Sequence, residues 1–212
     1  SINAVVLDKT GTITQGKPKL VATEVLPTGQ VEPQVLRWAS DLAAHSDHPV
    51  SKAIAQGLGI QGNGQLEGFT ALPGRGIEAK AGGLSLMLGN HRLIEDRGLC
   101  NLQIEARLAE HEAQGRTVTM LASSTQVLAI FAVADTIKES SRQALAELHA
   151  LGVVSVMLTG DNTATAQTIA RQAGIDDARG NLLPEDKLSA IEDLQKRYGS
   201  TAMTEAVFMA RR

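Results

Sequence analysis

The start of the chain constrains the fold more than any other segment. Four consecutive apolar residues, Ala4-Val5-Val6-Leu7, are followed at once by Asp8-Lys9-Thr10-Gly11-Thr12. A short, continuous apolar run is typical of a strand buried on both faces, as in a parallel sheet. A carboxylate placed directly after such a strand lies at the carboxyl edge of an α/β sheet, where these folds bind ligands. The segment therefore predicts an α/β fold with Asp8 in a ligand site.

The chemistry open to Asp8 is nucleophilic attack on a phosphoryl group, which the carboxylate would then hold as an acyl phosphate. Positioning and charge neutralisation supply most of the catalysis in such reactions. Mg²⁺ suits a site built from carboxylate, carbonyl and water oxygens. The alternative for Asp8 taken alone is a solvated residue in an ordinary turn.

Two later segments repeat the pattern of an apolar run followed by polar residues. Val153 to Leu158 predicts a second buried strand, and Thr159-Gly160-Asp161-Asn162 leads from it into a predicted helix over about 163–173. Backbone N–H groups at a helix start bind anions, although Asp161 and Asn162 also suit helix capping. Further on, Leu182-Leu183-Pro184-Glu185-Asp186-Lys187 opens another helix, and a lysine there is normally solvated.

Composition limits the possible functions. A chain of 212 residues forms one large or two small domains, and 43% hydrophobic residues are enough for a core. The net charge of −3 gives no reason to expect nucleic acid as a partner. The single cysteine, Cys100, excludes an internal disulfide and a cysteine-rich metal site, and we interpret it as a packing residue. The longest apolar run, Val127 to Ala134, is far shorter than the roughly 20 residues that span a bilayer.

The middle of the chain alternates short strands with helices and predicts an α+β insert. The predicted elements are a strand over 21–26, a helix over 33–44, a strand over 66–72, a hairpin over 77–88 that turns at Gly82-Gly83, a helix over 101–113, and strands over 118–122 and 127–134.

Within this insert, Ser46-Asp47-His48-Pro49 precedes a predicted helix, which Pro49 suits as a first-turn residue. On its own, His48 would be interpreted as a helix cap. Together with His45 it could also begin a zinc site, but no third ligand follows at a suitable spacing.

Taken in order, these motifs resemble those of heavy-metal-transporting P-type ATPases, and the resemblance covers nearly the whole chain. It implies a Rossmann-type, haloacid-dehalogenase-like phosphorylation domain formed by residues 1–22 and 131–212. It also implies an inserted α+β nucleotide-binding domain at residues 23–130. The function implied is ATP hydrolysis through an aspartyl phosphate, coupled to metal-ion transport.

The resemblance assigns roles around Asp8. Asp8 would be the nucleophile in the motif that continues with Lys9 and Thr10, and it would hold Mg²⁺ together with the carbonyl of Thr10. Related phosphatases have a second aspartate at the position of Thr10, where it serves as a general acid and base. Threonine cannot replace it, so the acyl phosphate should be longer-lived, and a soluble phosphatase of the same fold is the disfavoured alternative.

The remaining catalytic residues of the resemblance follow the second strand. Thr159, Gly160 and Asp161 would bind and order the transferred phosphoryl group, and Lys187 would neutralise the aspartyl phosphate. Asp135 and Lys138, which follow the insert, would either meet the nucleotide phosphates or brace the hinge between the domains.

In the nucleotide-binding domain, His48 of the His48-Pro49 motif would contact adenine, and Gly74 and Gly76 would line the ATP pocket. Asn90 would order that pocket or simply end a strand. Family members usually have a glutamate five residues before the histidine, where this chain has Ala43; Asp41 is the nearest acidic residue that could replace it.

The sequence of residues 46–51, Ser-Asp-His-Pro-Val-Ser, resembles that of zinc/cadmium/lead exporters more than that of copper-transporting pumps, which are the alternative. The metal ion would bind membrane helices that this chain lacks, and the other partners would be ATP and the actuator domain of the parent pump. We therefore expect a soluble fragment that belongs to the cytoplasmic face of a membrane.

The resemblance breaks after Met203. The family continues with Gly-Asp-Gly-x-Asn-Asp, whose carboxylates complete the Mg²⁺ site, but here Met203 is followed by Thr204-Glu205-Ala206. We hypothesise that a segment between Met203 and Thr204 has been deleted or left unrecorded. An intact mass of 22.4 kDa, which is the mass of the sequence as it stands, would rule out the second possibility.

Overall fold

The structure is a computed structural model that describes residues 2–203. It divides into two compact units. The first unit comprises the described parts of Ser1–Lys17, Ala113–Gly115 and Asp135–Arg212, and the second comprises Pro18–Glu112 and Arg116–Ala134. The junction after Met203, where the sequence departs from the family pattern, lies outside the described residues.

The strands are β1 (Ala4–Asp8), β2 (Lys19–Val25), β3 (Glu67–Leu72), β4 (Gly76–Ala81), β5 (Leu84–Asn90), β6 (Thr117–Ser123), β7 (Val127–Ala134), β8 (Val154–Leu158), β9 (Asp177–Arg179) and β10 (Thr201–Met203). The helices are α1 (Glu32–Ala44), α2 (Pro49–Leu58), α3 (His91–Asp96), α4 (Leu102–Glu112), α5 (Glu139–Ala150), α6 (Thr163–Ala173) and α7 (Pro184–Tyr198).

The first unit contains a parallel sheet with the strand order β10-β1-β8-β9. Successive residues of β1 and β8 point to opposite faces, and both faces are covered. Val6, Val156 and Leu158 pack with α7, whereas Leu7 and Met157 pack with α5 and α6. Because both faces of these strands are buried, β1 is apolar from Ala4 to Leu7 and β8 has a single polar residue, Ser155.

The register of this sheet positions the end of β1. Asp8 is paired with Leu158, so Asp8 and the residues that follow Leu158 lie at the same carboxyl edge. After Asp8 the backbone turns through Thr10 (φ −73°, ψ 124°) and Gly11 (φ 77°). The positive φ of Gly11 is a conformation that costs a glycine little and other residues considerably more. A hydrogen bond of 3.0 Å from the Thr14 N–H to the Lys9 carbonyl closes the turn.

The second unit is built on an antiparallel sheet of six strands, in the order β2-β7-β6-β5-β4-β3. Helices α1 and α2 cover one face, where Trp38 and the fully buried Phe131 belong to the core. Helices α3 and α4 cover the other face, with Ile94 and Leu108 in a second core. The central strands β6 and β7 are therefore buried on both faces, which explains their apolar sequences.

The structure adds detail that the sequence did not predict. The short elements α3 and β9 were not predicted, and β5 continues through Gly89 and Asn90 instead of ending at Leu88. The division between the units falls at 17/18 and 134/135, whereas the sequence placed it at 22/23 and 130/131. The physical reason is that β2 and β7 pair along their length, from Lys19 opposite Ala134 to Val25 opposite Ala129. In the part of the chain that the structure describes, no helix is both long and apolar enough to cross a membrane.

Candidate functional site

The carboxylate of Asp8 is the centre of the candidate site in the first unit. Its Oδ1 accepts hydrogen bonds from the Lys9 backbone N–H at 3.1 Å and from Lys187 Nζ at 3.4 Å. Lys187 lies in the first turn of α7, where the Asp186 carboxylate accepts a hydrogen bond from the Leu183 N–H and caps the helix. The side chain of Asp8 is 24% exposed, so the carboxylate has a cation beside it and is still reachable from solvent.

The side chain of Lys9 points to a different partner. It forms an ion pair with Asp161, and the two side chains are only 14% and 11% exposed. This pair links the loop after β1 to the loop after β8. The charge of Lys9 is balanced by Asp161, and Lys187 is a cation that contacts Asp8 directly.

Thr159 and its neighbours form the second part of this edge. Thr159 is buried, and its hydroxyl oxygen accepts a hydrogen bond of 3.1 Å from the Asp161 N–H. A hydroxyl that accepts this bond can still donate its own hydrogen. Asn162 caps α6 through a 2.9 Å bond from the Ala164 N–H. At Gly160 an added Cβ would lie 3.2 Å from the Leu182 carbonyl oxygen, so there is little room for a side chain.

Asp135 and Lys138 hold the base of the loop that follows Asp8. The carboxylate of Asp135 accepts hydrogen bonds from the N–H groups of Gly16 (2.9 Å) and Lys17 (3.2 Å). Lys138 Nζ donates to the carbonyl of Gly11 at 2.8 Å. These contacts brace the loop, and a role in binding nucleotide phosphates stays a prediction.

In the second unit, His48 and Pro49 lie at the start of α2, and both are exposed. His48 is the N-cap, and its Nδ1 accepts a hydrogen bond of 3.2 Å from the Val50 N–H. Pro49 is the first residue of the helix, as the sequence predicts. The capping role that we weighed as an alternative for His48 is therefore present in the structure, through Nδ1 of the imidazole.

The loop that contains Gly74 and Gly76 is held by Asn90. Asn90 Nδ2 donates to the Gly74 carbonyl at 2.9 Å, and the Asn90 N–H donates to the Arg75 carbonyl at 2.8 Å. The side-chain oxygen of Asn90 also caps α3. At Gly76 an added Cβ would lie 2.2 Å from the Leu88 carbonyl oxygen, so the close approach of β4 and β5 requires glycine.

Two residues that precede His48, Ala43 and His45, have structural roles. Ala43 is fully buried. The ring of His45 stacks on Phe69 with centroids 3.6 Å apart, and its Nδ1 lies 2.8 Å from the Asp41 carbonyl oxygen. Among residues 2–203, His45 and His48 belong to no group of three potential metal ligands.

One cluster in the second unit was not predicted from the sequence. Cys100 packs against the core beside α3 and α4, as a packing residue should, but its sulfur also lies near the side chains of His91 and Glu105. The three residues come from different elements at irregular spacing, so no sequence pattern identified them.

The chain is similar to known proteins over almost its whole length. The family model described as "haloacid dehalogenase-like hydrolase" matches residues 2–205. The chain belongs to the haloacid dehalogenase-like hydrolase family. This agrees with the parallel sheet of the first unit.

Similar members of the family are much longer than this chain. It is 40% identical to a copper-exporting P-type ATPase of Bacillus subtilis (strain 168), over 95% of this chain and 25% of that protein. It is 34% identical to a probable cadmium-transporting ATPase of Alkalihalophilus pseudofirmus, over 96% of this chain and 29% of that protein. Among solved structures, a zinc-transporting PIB-type ATPase in the E2.Pi state has a TM-score of 0.54 and 34% identity, covering 95% of this chain and 32% of that one.

Proposed function

We propose that this chain binds ATP through its second unit and accepts the γ-phosphoryl group on Asp8, as the catalytic part of a heavy-metal-translocating P-type ATPase. The observation that carries the proposal is the surroundings of Asp8: a partly exposed carboxylate with Lys187 beside it, at the carboxyl edge of a parallel sheet. The similarity to copper, cadmium and zinc pumps supports the same conclusion.

In the proposed reaction, a carboxylate oxygen of Asp8 attacks the γ-phosphorus of ATP. A bond forms between that oxygen and phosphorus, the bond from the γ-phosphorus to the β,γ-bridging oxygen breaks, and ADP leaves with the electron pair. The Lys9 N–H and Lys187 orient the carboxylate before the attack. Lys187 then faces the added negative charge, and a fixed cation at a site of growing charge is an effective catalyst.

The lifetime of the acyl phosphate depends on Thr10. Thr10 is exposed and has no ionisable side chain, so it cannot take a proton from an attacking water. The aspartyl phosphate should therefore persist long enough for a slower conformational step. This property distinguishes the proposal from a phosphatase of the same fold.

We propose that Mg²⁺ binds the carboxylate of Asp8, which is partly exposed, together with the carbonyl of Thr10. Mg²⁺ is usually held by one or two carboxylates together with waters and substrate phosphates, so this donor set is sufficient to begin such a site. When bound, Mg²⁺ would offset the negative charges of Asp8 and of the phosphates.

The junction after Met203 bears on the same site. If the carboxylates of the family pattern are absent from the protein, both Mg²⁺ affinity and the rate of phosphoryl transfer should fall. ATP binding should survive, because the proposed residues His48, Gly74, Gly76 and Asn90 all belong to the second unit.

For the second unit, we propose that adenine contacts His48 and that the ATP pocket includes Gly74 and Gly76. The bonds from Asn90 to the Gly74–Arg75 backbone support a pre-formed loop. The transported ion and the actuator domain belong to the parent pump. The sequence preference for zinc, cadmium or lead stays a prediction, since the similar proteins include copper pumps.

Calorimetric titration with ATP tests the proposal. Wild-type protein should bind ATP saturably, and His48→Ala should weaken binding, while His149→Ala, which removes an exposed histidine of the first unit, should not. Failure to bind ATP combined with turnover of a simple phosphomonoester would replace the pump with the phosphatase.

A further inference from the structure

A group of four side chains in the second unit plays no part in the proposed reaction. We refer to His91, Cys100, Glu105 and Glu112 as the His91 cluster. His91 is the first residue of α3, Cys100 lies between α3 and α4, Glu105 is in the first turn of α4, and Glu112 is its last residue. The cluster is thus built from a short stretch of chain within one unit.

The geometry of the cluster centres on the His91 imidazole, which is buried. Its Nδ1 lies 3.2 Å from Glu112 Oε2, and Glu112 is only 3% exposed. Its Nε2 lies 3.2 and 3.1 Å from the two oxygens of Glu105, whose side chain is 39% exposed. Three residues, His91, Cys100 and Glu105, each offer one ligand atom, and these three atoms lie within 4.8 Å of one another.

These three atoms are close to the spacing that a tetrahedral zinc ion requires. With zinc–ligand bonds of about 2.0–2.3 Å, neighbouring ligand atoms are roughly 3.3–3.8 Å apart. Here His91 Nε2 and Glu105 Oε2 are 3.1 Å apart, and no two of the three ligand atoms are more than 4.8 Å apart. Small side-chain rotations would bring them to the separations that zinc requires. A nitrogen, a thiolate sulfur and a carboxylate oxygen form a mixed set that suits a cation of intermediate softness.

Glu112 occupies the position of an outer partner. Histidines that bind metals usually donate their second N–H to a carboxylate, which fixes the tautomer and the ring orientation. The buried Glu112 lies beside Nδ1, and the exposed Glu105 lies beside Nε2. This arrangement directs Nε2 toward Glu105.

We propose that His91 Nε2, Cys100 Sγ and Glu105 form a site for a divalent cation of the zinc class, with Glu112 orienting the histidine. The three protein ligands leave a fourth position for water, and the exposed side of Glu105 provides a route for the ion. The site is separate from the proposed Mg²⁺ site at Asp8, which lies in the other unit.

The competing interpretation is a purely structural network in which an imidazolium lies between two carboxylates. Hydrogen bonds with Cys100 and Glu112, followed by Glu105, raise the pKa of His91 to about 11, so metal-free protein holds this histidine protonated. A cation that binds the imidazole must therefore displace a proton from it.

The thiol distinguishes the two interpretations, because a structural network does not need a thiolate. Cys100 is the only cysteine in the sequence, so a thiolate-to-cobalt charge-transfer band in Co²⁺-loaded protein can arise only from Cys100. We expect this band at one equivalent of Co²⁺, and we expect Zn²⁺ to remove it by displacement. Cys100→Ser should abolish the band, and Glu105→Gln should weaken Zn²⁺ binding in calorimetry.

Two further variants control the experiment. Glu110→Gln, which changes an exposed glutamate on the same helix, should leave the band and the Zn²⁺ affinity unchanged. Glu112→Gln should weaken Zn²⁺ binding by about 10–100-fold, as loss of an outer partner does. If Glu112→Gln does not fold, Cys100→Ser and Glu105→Gln decide the question, since both positions are partly exposed. Absence of the band in wild-type protein, or equal Zn²⁺ affinity in wild type and Cys100→Ser, would overturn the proposal.

Discussion

Replacement of Gly76 by alanine tests whether the close approach of β4 and β5 holds the loop that contains Gly74 in place. Gly76 is paired with Gly89 across β4 and β5, and an added Cβ would lie 2.2 Å from the Leu88 carbonyl oxygen and 2.7 Å from the Gly89 Cα. Such contacts are rarely below 3.0 Å, so the strands must separate by about 0.8 Å. The obstructing atoms are backbone and cannot rotate away.

The expected cost of Gly76→Ala follows from this geometry. Overpacking a well-packed site costs about 1–3 kcal/mol, and we expect a value near the upper end because backbone must move. The same shift displaces Gly74, whose carbonyl is held by Asn90. ATP affinity should therefore fall by at least about tenfold, which corresponds to about 1.4 kcal/mol.

Urea unfolding and calorimetry measure the two effects separately. Trp38 is the only tryptophan and is buried in the second unit, so its fluorescence reports the unfolding of that unit alone. Gly83→Ala is the matched control, since Gly83 lies in the turn of the same hairpin and an added Cβ there meets nothing within 4 Å. If Gly76→Ala unfolded at the same urea concentration as Gly83→Ala and bound ATP equally well, the close approach of β4 and β5 at Gly76 would be refuted.

Three further substitutions have expected outcomes. Lys187→Ala should slow phosphorylation of Asp8 by about 10²–10³-fold, as loss of one transition-state partner does. The free energy of unfolding should change by less than about 1 kcal/mol, because the Lys187–Asp8 ion pair is partly exposed. A phosphorylation rate within threefold of wild type would contradict this role. Asn90→Ala removes the N-cap of α3 and should lower the free energy of unfolding in urea by about 1 kcal/mol. It should also weaken ATP binding, and an unchanged ATP affinity would show that Asn90 does not order the ATP pocket. Phe131→Ala should destabilise the second unit by about 3–5 kcal/mol, and a loss below 1 kcal/mol in the tryptophan-detected transition would mean that this core is not packed as described.

Local sequence patterns predicted most of the scaffold because burial determines them directly. The run before Asp8 is apolar at every position, and the run before Thr159 is interrupted only by the buried Ser155, since helices cover both faces of the sheet. Pro49 and Gly82-Gly83 mark a helix start and a hairpin turn by backbone chemistry alone. The chain boundaries of the insert were less well predicted, because the pairing of β2 with β7 is a long-range feature.

The site was predicted as a set of residues but not as a set of contacts. The ion pair of Lys9 with Asp161 joins positions 152 residues apart, and no local pattern encodes it. The bond between Lys138 and the Gly11 carbonyl likewise depends on how two distant segments meet. The His91 cluster lies within a short stretch of chain, but it was missed because its ligands lie at irregular spacing on two helices and the loop between them.

The most direct test of the central claim is incubation of the protein with γ-labelled ATP and Mg²⁺, followed by acid quenching and mass spectrometry to locate the label. We expect an acid-stable acyl phosphate on the peptide that contains Asp8. Asp8→Asn should abolish the label and retain ATP binding. Label on another residue, or equal labelling of wild type and Asp8→Asn, would contradict the assignment of Asp8 as the phosphoryl acceptor.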